Sequence, residues 1–166
     1  MLWIYLKMFD QSIKRIGFCC KYLDADQSLP KKILEETQRP FNTKSTTITW
    51  LNRQERDVAE QRLWDLMVHN IQSYYNLVEY TGSLIPQRRM VRLGSDCLPA
   101  FTEKDWSYYW QKPDVQAYCE KEFIKVGDLA RQLDVKLSFH PGQFCVLASD
   151  NPDVVERSIE EFEYHV

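Results

Sequence analysis

The sequence predicts an α/β fold in which short parallel strands alternate with amphipathic helices. Three short runs of β-forming residues are separated by longer segments whose apolar residues recur every three or four positions. Helical segments of this length can cross back over a sheet, and such crossovers join parallel strands in a right-handed arrangement. The composition is that of a globular protein, since 44% of the 166 residues are hydrophobic and 27% are charged.

The first strand is predicted over residues 15–20, where Arg-Ile-Gly-Phe-Cys-Cys forms a short, apolar run. Residues 21–54 follow as a polar segment with two prolines, and we expect a long loop, which is usually functional or mobile. This segment holds six basic residues against four acidic ones, although the whole chain carries a net charge of −3. The overall charge does not indicate a nucleic-acid binder, and a few solvated lysines explain the local excess equally well.

Three helices are predicted from apolar spacing and from start signals. Asn52 with Glu55 resembles an N-cap, and the helix that follows continues to Gly82. Asn151 with Pro152 begins the last helix. The three apolar stripes are Ala59, Leu63, Met67, Ile71, Tyr74 and Val78, then Val115, Cys119, Phe123, Val126, Ala130 and Leu133, and finally Val155, Ile159, Phe162 and Val166.

The second and third strands lie between these helices. Residues 90–94 form the second strand, and residues 95–103 form the loop that leaves it. The third strand alternates apolar and polar residues over positions 135–139 and ends at His140. Pro141 and Gly142 then force a turn, from which Gln143 and Phe144 project. This strand end has the composition of an active-site edge, although a buried histidine beside an ordinary turn is the plain alternative.

The order of elements leaves two architectures open, a (β/α) barrel and a doubly wound sheet. In either, ligands gather at the carboxyl ends of the strands. The segments after Cys20 and Gly94 and the turn at residues 140–144 are therefore expected on one common face. Neither a G-x-G-x-x-G nor a Walker pattern is present, so no nucleotide cofactor is expected.

The five cysteines, at positions 19, 20, 97, 119 and 145, are odd in number and include no C-x-x-C pair. We expect reduced, mostly buried thiols and neither a disulfide framework nor a structural zinc site. Neighbouring residues of a strand point to opposite faces, so Cys19 and Cys20 are not expected to share a metal easily. Residues 1–14 lack the features of a signal peptide, and a cytoplasmic protein without a membrane segment is expected.

Five motifs, in order, resemble those of the UV-damage endonucleases. They are Ile16-Gly-Phe-Cys-Cys-Lys-Tyr22, Thr46-Thr-Ile-Thr-Trp-Leu51, Arg89-Met-Val-Arg-Leu-Gly-Ser-Asp-Cys-Leu-Pro99, Leu137-Ser-Phe-His-Pro-Gly-Gln-Phe144 and Glu160-Glu-Phe-Glu-Tyr-His165. The resemblance covers residues 15–166 and leaves residues 1–14 as an N-terminal extension. It implies a (β/α)₈ barrel with a cluster of divalent metals, commonly Mn²⁺, with Zn²⁺ or Mg²⁺ as alternatives. It also implies cleavage of damaged double-stranded DNA on the 5′ side of lesions such as pyrimidine dimers.

The resemblance assigns metal-binding roles to two residues. His140 matches a metal-ligand histidine of the family, and imidazole suits a transition metal. In the loop after the second strand, the family usually has a histidine where this chain has Glu103. A carboxylate can also bind Mn²⁺ or Zn²⁺, so the site either survives with altered affinity or is impaired. Asp96 is a nearby alternative ligand, although a turn or cap role is favoured for it.

Other positions match the family's DNA-binding residues. Gln143 and Phe144 match the amide and ring that probe the damaged site, where a ring repays part of the cost of unstacking. Phe18 and Tyr22 fall near positions that line the DNA-binding face. The basic residues of segment 31–44 then become candidate phosphate contacts.

The remaining histidines and an aromatic cluster are assigned to structure. His69 lies in the middle of a helix, His165 lies beside a packing stripe, and the cluster at residues 106–110 is expected in the core. None of these is expected to bind DNA or metal.

Only three β/α units can be counted, whereas a closed barrel needs about 250 residues. We therefore expect an incomplete barrel, the amino-terminal portion of an enzyme that is inactive in isolation and monomeric when full length. Two alternatives remain open: a metal-dependent barrel enzyme resembling the sugar isomerases, and a non-catalytic DNA-binding fragment.

Overall fold

The structure, a computed structural model that describes residues 14–141 and 145–164, contains a three-stranded parallel sheet with helices between the strands. Its elements are β1 (Phe18–Cys19), α1 (Lys31–Gln38), α2 (Ile48–Leu51), α3 (Arg56–Ser83), β2 (Met90–Gly94), α4 (Ser107–Trp110), α5 (Pro113–Gln132), β3 (Lys136–His140) and α6 (Pro152–Glu163). Short 3₁₀ helices at Arg39–Phe41 and Pro86–Arg88 precede α2 and β2. The prediction of an α/β fold with parallel strands is confirmed.

The strands follow one another in the sheet in the order β1, β2, β3. Phe18 pairs with Val91, and Val91 pairs with Leu137. At the far end of the sheet Gly94 pairs with His140. The carboxyl ends of all three strands therefore lie along one edge, as the sequence predicts.

Helix α3 forms the centre of the core. All six residues of its predicted stripe are buried, and they pack with Val91 and Leu93 of β2 and with Val126 and Ala130 of α5. Trp106, Tyr109 and Trp110 are also buried in this core, which confirms the structural role predicted for the aromatic cluster.

Two predictions about residues 21–54 are wrong. The segment is not a long loop, because it contains α1, a 3₁₀ turn and α2. Asn52 is not the N-cap of the long helix, since it ends α2 and its side-chain oxygen accepts a hydrogen bond from Trp106 Nε1 at 2.8 Å. Glu55 occupies the N-cap position of α3, without a side-chain capping bond.

The apolar face of β3 is only partly covered. Leu137 and Phe139 are 36% and 40% exposed, because β3 is an edge strand in the described part of the chain. The stripe of α6 is also incompletely buried, since Ile159 and Phe162 remain exposed and Val166 lies outside the described residues. Asn151 caps α6 as predicted, accepting a hydrogen bond from the Asp153 amide at 3.0 Å.

Among the helices of the described residues, none combines the length and the apolar character needed to cross a membrane.

Candidate metal centre at the strand ends

The pairing of the strands assigns His140 and Cys19 to the same face of the sheet. Paired residues of parallel strands share a face, and faces alternate along each strand. Val91 is buried on the face covered by α3, so Cys19 and Ser138, which both pair with Arg92, lie on the opposite face. His140, two residues after Ser138, shares that face.

Cys20 turns its backbone so that its thiol joins that of Cys19. Its φ angle is 63°, in the left-handed region that residues other than glycine seldom adopt. The Cys20 amide donates to the Arg92 carbonyl at 2.7 Å, and the Lys21 amide donates to the Cys19 carbonyl at 2.7 Å. The two sulfur atoms lie 3.0 Å apart. The expectation that the two thiols point apart is therefore wrong, because the extended conformation ends at Cys19.

The thiols of Cys19 and Cys20 and the imidazole of His140 form a compact group of metal-ligand atoms. All three donors lie within 4.8 Å of one another, and no other group of three such donors occurs among residues 14–141 and 145–164. Cys19 is exposed, whereas Cys20 and His140 are half-buried. An imidazole with two sulfur donors fits a transition metal, and sulfur favours zinc or copper over manganese.

Burial, followed by the neighbouring Cys19, raises the pKa of Cys20 to about 11. The charge of Asp96 also raises this pKa, while Arg92 opposes the shift. The thiol is therefore protonated at neutral pH unless a cation displaces the proton.

The two carboxylates considered from the sequence do not join this group. Glu103 is exposed in the turn before α4, where its backbone carbonyl accepts from the amides of Trp106 and Ser107. Asp96 accepts a hydrogen bond from Thr43 Oγ1 at 2.7 Å. This contact ties the segment before α2 to the loop after β2 and agrees with the turn role favoured for Asp96.

Phe18 and Tyr22 belong to an aromatic cluster with Phe41 and Tyr80. The ring of Tyr22 lies 4.5 Å from that of Phe41 and 5.0 Å from that of Tyr80, measured between centroids. Phe18 meets Tyr80 edge-on at 6.2 Å. These contacts dock the segment after β1 against α3, so both residues have a packing role whatever else they bind.

Gln143 and Phe144, predicted to probe the lesion, lie outside the described residues, as does His165. His69 has a structural contact, since its Nε2 lies 3.0 Å from the carbonyl oxygen of Asn42. Burial lowers the pKa of His69, with Lys44 and Arg39 as smaller causes in the same direction.

Asn70 is a positioning residue that sequence reasoning missed. Its fully buried amide accepts from the Lys44 amide at 2.7 Å and donates to the carbonyls of Lys44, Asp96 and Cys97. It therefore joins the segment before α2 to the strand-end loop. The sequence signal for this role was the position of Asn70, a polar residue between the apolar stripe residues Met67 and Ile71 of a long helix.

The parallel sheet and its strand-end donors define an α/β protein with a candidate metal site at the carboxyl edge. The sequence model of the family described as UV-endonuclease UvdE matches residues 15–166. The chain therefore belongs to the UV-endonuclease UvdE family.

Individual relatives agree with this assignment. The UV DNA damage endonuclease of Bacillus anthracis (strain A0248) is 24% identical over 122 residues, which are 74% of this chain and 36% of that protein. That of Bacillus pumilus (strain SAFR-032) is 29% identical over 76 residues, 46% of this chain and 22% of that protein. The crystal structure of SacUVDE matches with a TM-score of 0.65 and 19% identity, covering 91% of this chain and 43% of that one. The matched part of this chain thus spans about a third or less of the length of these two curated relatives. The chain shares the fold of the solved structure.

Proposed function

We propose that this chain is part of a DNA repair endonuclease that cleaves the backbone on the 5′ side of UV lesions. The observation that carries the proposal is His140, a ligand-type side chain at the carboxyl edge of a parallel sheet within a family match over residues 15–166. Strand-end loops are where parallel α/β folds hold their active sites.

The three β/α units belong, in this proposal, to a (β/α)₈ barrel. Their parallel strands follow chain order in the sheet, as consecutive barrel strands do. The partly covered face of β3, with Leu137 and Phe139, supports a further element beside this edge. Closure would also remove the exposed strand edges, which are otherwise sites of aggregation.

His140 is proposed to hold a divalent metal of the catalytic cluster, with Mn²⁺ expected and Zn²⁺ or Mg²⁺ as alternatives. Such a metal, when bound, supplies a Lewis acid for the phosphate and lowers the pKa of a bound water. The position of His140, paired with Gly94 at the carboxyl end of the sheet, supports this role. Glu103 remains a proposed second ligand from the neighbouring loop.

Damaged double-stranded DNA is the proposed partner. Gln143 and Phe144 would enter the duplex at the lesion, where the ring replaces lost base stacking. Phe18 and Tyr22 would border the DNA from the carboxyl end of β1. The exposed Lys31 offers a phosphate contact, because its 3.7 Å ion pair with Glu35 lies at the surface and is weak.

The test is His140→Ala in the full-length gene product, with nicking of UV-irradiated supercoiled plasmid measured in Mn²⁺. We expect the loss of one metal ligand to lower the nicking rate at least about 100-fold, because the metal stabilises the charge of the transition state. His69→Gln is the matched control, since it removes an imidazole that has a structural contact with Asn42. Nicking at the wild-type rate by the His140 variant, with unchanged metal content, would exclude the proposed ligand role.

A further inference from the structure

We propose that Cys19, Cys20 and His140 form a binding site for a thiophilic divalent cation of the Zn²⁺ class, distinct in its selectivity from a manganese site. The inference rests on the three donor groups and goes beyond the proposed nuclease function. Both proposals use the imidazole of His140, so a cation held by the two thiols competes for it with a metal of the catalytic cluster. It also departs from the expectation that Cys19 and Cys20 do not easily share a metal.

The distances fit such a cation after a small adjustment. Zinc lies about 2.3 Å from thiolate sulfur and about 2.0 Å from imidazole nitrogen, so tetrahedral geometry needs sulfur atoms about 3.8 Å apart. The sulfur atoms lie 3.0 Å apart, and all three donors lie within 4.8 Å. Rotation of the Cys19 side chain can supply the missing separation, because this residue is exposed to solvent.

The backbone favours convergence of the two thiols at a conformational cost. A left-handed residue directly after a strand is usually glycine, yet this chain has Cys20 there with φ at 63°. The amide bond from Cys20 to Arg92 fixes this conformation against β2. Strained residues of this kind concentrate at ligand-binding sites, where the side chain is needed in that direction.

The donor chemistry determines the class of cation. Thiolate and imidazole together favour zinc or copper, whereas manganese and magnesium favour carboxylate, carbonyl and water oxygens. Three protein ligands, one of them the exposed Cys19, leave a fourth position for water or a substrate atom, the arrangement of open zinc sites.

The test is metal binding by the fully reduced 166-residue chain, kept in a phosphine reductant that prevents a Cys19–Cys20 disulfide. Zn²⁺ is titrated against a chromophoric chelator, and Co²⁺ is added separately as a spectroscopic probe. We expect one tightly bound Zn²⁺ per chain, thiolate-to-cobalt charge-transfer absorption, and no displacement of Zn²⁺ by a roughly 100-fold excess of Mn²⁺. Displacement by Mn²⁺, or cobalt spectra without thiolate bands, would overturn the proposal.

Cys19→Ser, Cys20→Ser and His140→Ala should each weaken Zn²⁺ binding by about 100-fold or more, because each removes one of three ligands. Cys119→Ala is the matched control, since the Cys119 sulfur instead lies 3.3 Å from Met67 Sδ. Cys19 is exposed, so its variant keeps the fold even if a serine at position 20 does not. Wild-type affinity in the Cys19 or the His140 variant would refute the three-ligand site, whether or not the full-length protein cleaves DNA.

Discussion

At the scale of single residues, His69 connects the folding of the segment before α2 to pH. Its ring contacts the Asn42 carbonyl, and burial is the largest cause that lowers its pKa from 6.5. The folded chain therefore binds this proton less readily than the unfolded chain does. The resulting stability is fully present above about pH 6.5 and is lost as the pH falls from there through the lower folded pKa.

We expect His69→Gln to flatten the pH dependence of the unfolding free energy just below pH 6.5, the unperturbed pKa of histidine. Glutamine retains a side-chain donor for Asn42 but does not titrate. The measurement is urea denaturation of both proteins at several pH values between about 5 and 8. Equal slopes in this window would show that His69 has the same proton affinity in both states.

Of the three donors in the candidate site, only His140 could be predicted from the sequence. His140 is recognisable because strand alternation leads directly into a proline-glycine turn, and the strand is observed at Lys136–His140. The convergence of Cys19 and Cys20 could not be predicted, because it depends on the left-handed φ of Cys20 and on a hydrogen bond to Arg92, 72 positions further along the sequence.

At the scale of elements, the apolar pattern separates the long core helix α3 from the two short helices of segment 21–54. The stripe of α3 is completely buried, so its apolar periodicity is strong. Helix α1 has no buried residue, and α2 has only four residues with Leu51 buried, so neither has a stripe to detect. Local capping, such as the bond from the Trp50 amide to Thr47 Oγ1, determines α2 instead.

Alanine substitutions at two helical glycines test where the packing of the helices leaves no room for a side chain. A Cβ at Gly82 of α3 would lie 2.4 Å from Leu133 Cδ1 and 2.8 Å from Leu133 Cβ. We expect Gly82→Ala to lower the unfolding free energy by about 1–3 kcal/mol through overpacking. Gly127→Ala in α5 should instead raise it by about 0.5–1 kcal/mol, because the new Cβ meets only the flexible end of Arg131 at 3.5 Å.

Urea denaturation of the two alanine variants measures this difference. Opposite signs would show that α3 and α5 approach closely at Gly82 and not at Gly127. If both substitutions raised the unfolding free energy, the Leu133 side chain would be able to move away from the new Cβ without loss of stability. The packing of α3 against α5 would then be looser than the structure shows.

At the scale of the whole molecule, the three β/α units form one side of the proposed active site. His140 and the loop with Glu103 lie at the ends of β3 and β2, yet within the described residues the one group of three ligand atoms contains two sulfurs. A cluster of divalent metals for phosphodiester cleavage needs more oxygen and nitrogen donors, which a barrel collects from the ends of several strands. The position of His140 alone is thus not sufficient for the proposed activity.

We therefore expect the 166-residue chain alone to leave UV-irradiated supercoiled plasmid intact in Mn²⁺, under conditions in which the full-length gene product nicks it. The partly exposed apolar residues of β3 should also make the isolated chain associate, which sedimentation over a range of concentrations measures. A chelator-treated sample and the His140→Ala version of the same 166-residue chain are the controls for contaminating nucleases. Nicking that the wild-type chain performs and both controls lack would contradict the expectation, because three β/α units would then be enough to assemble the catalytic metal site.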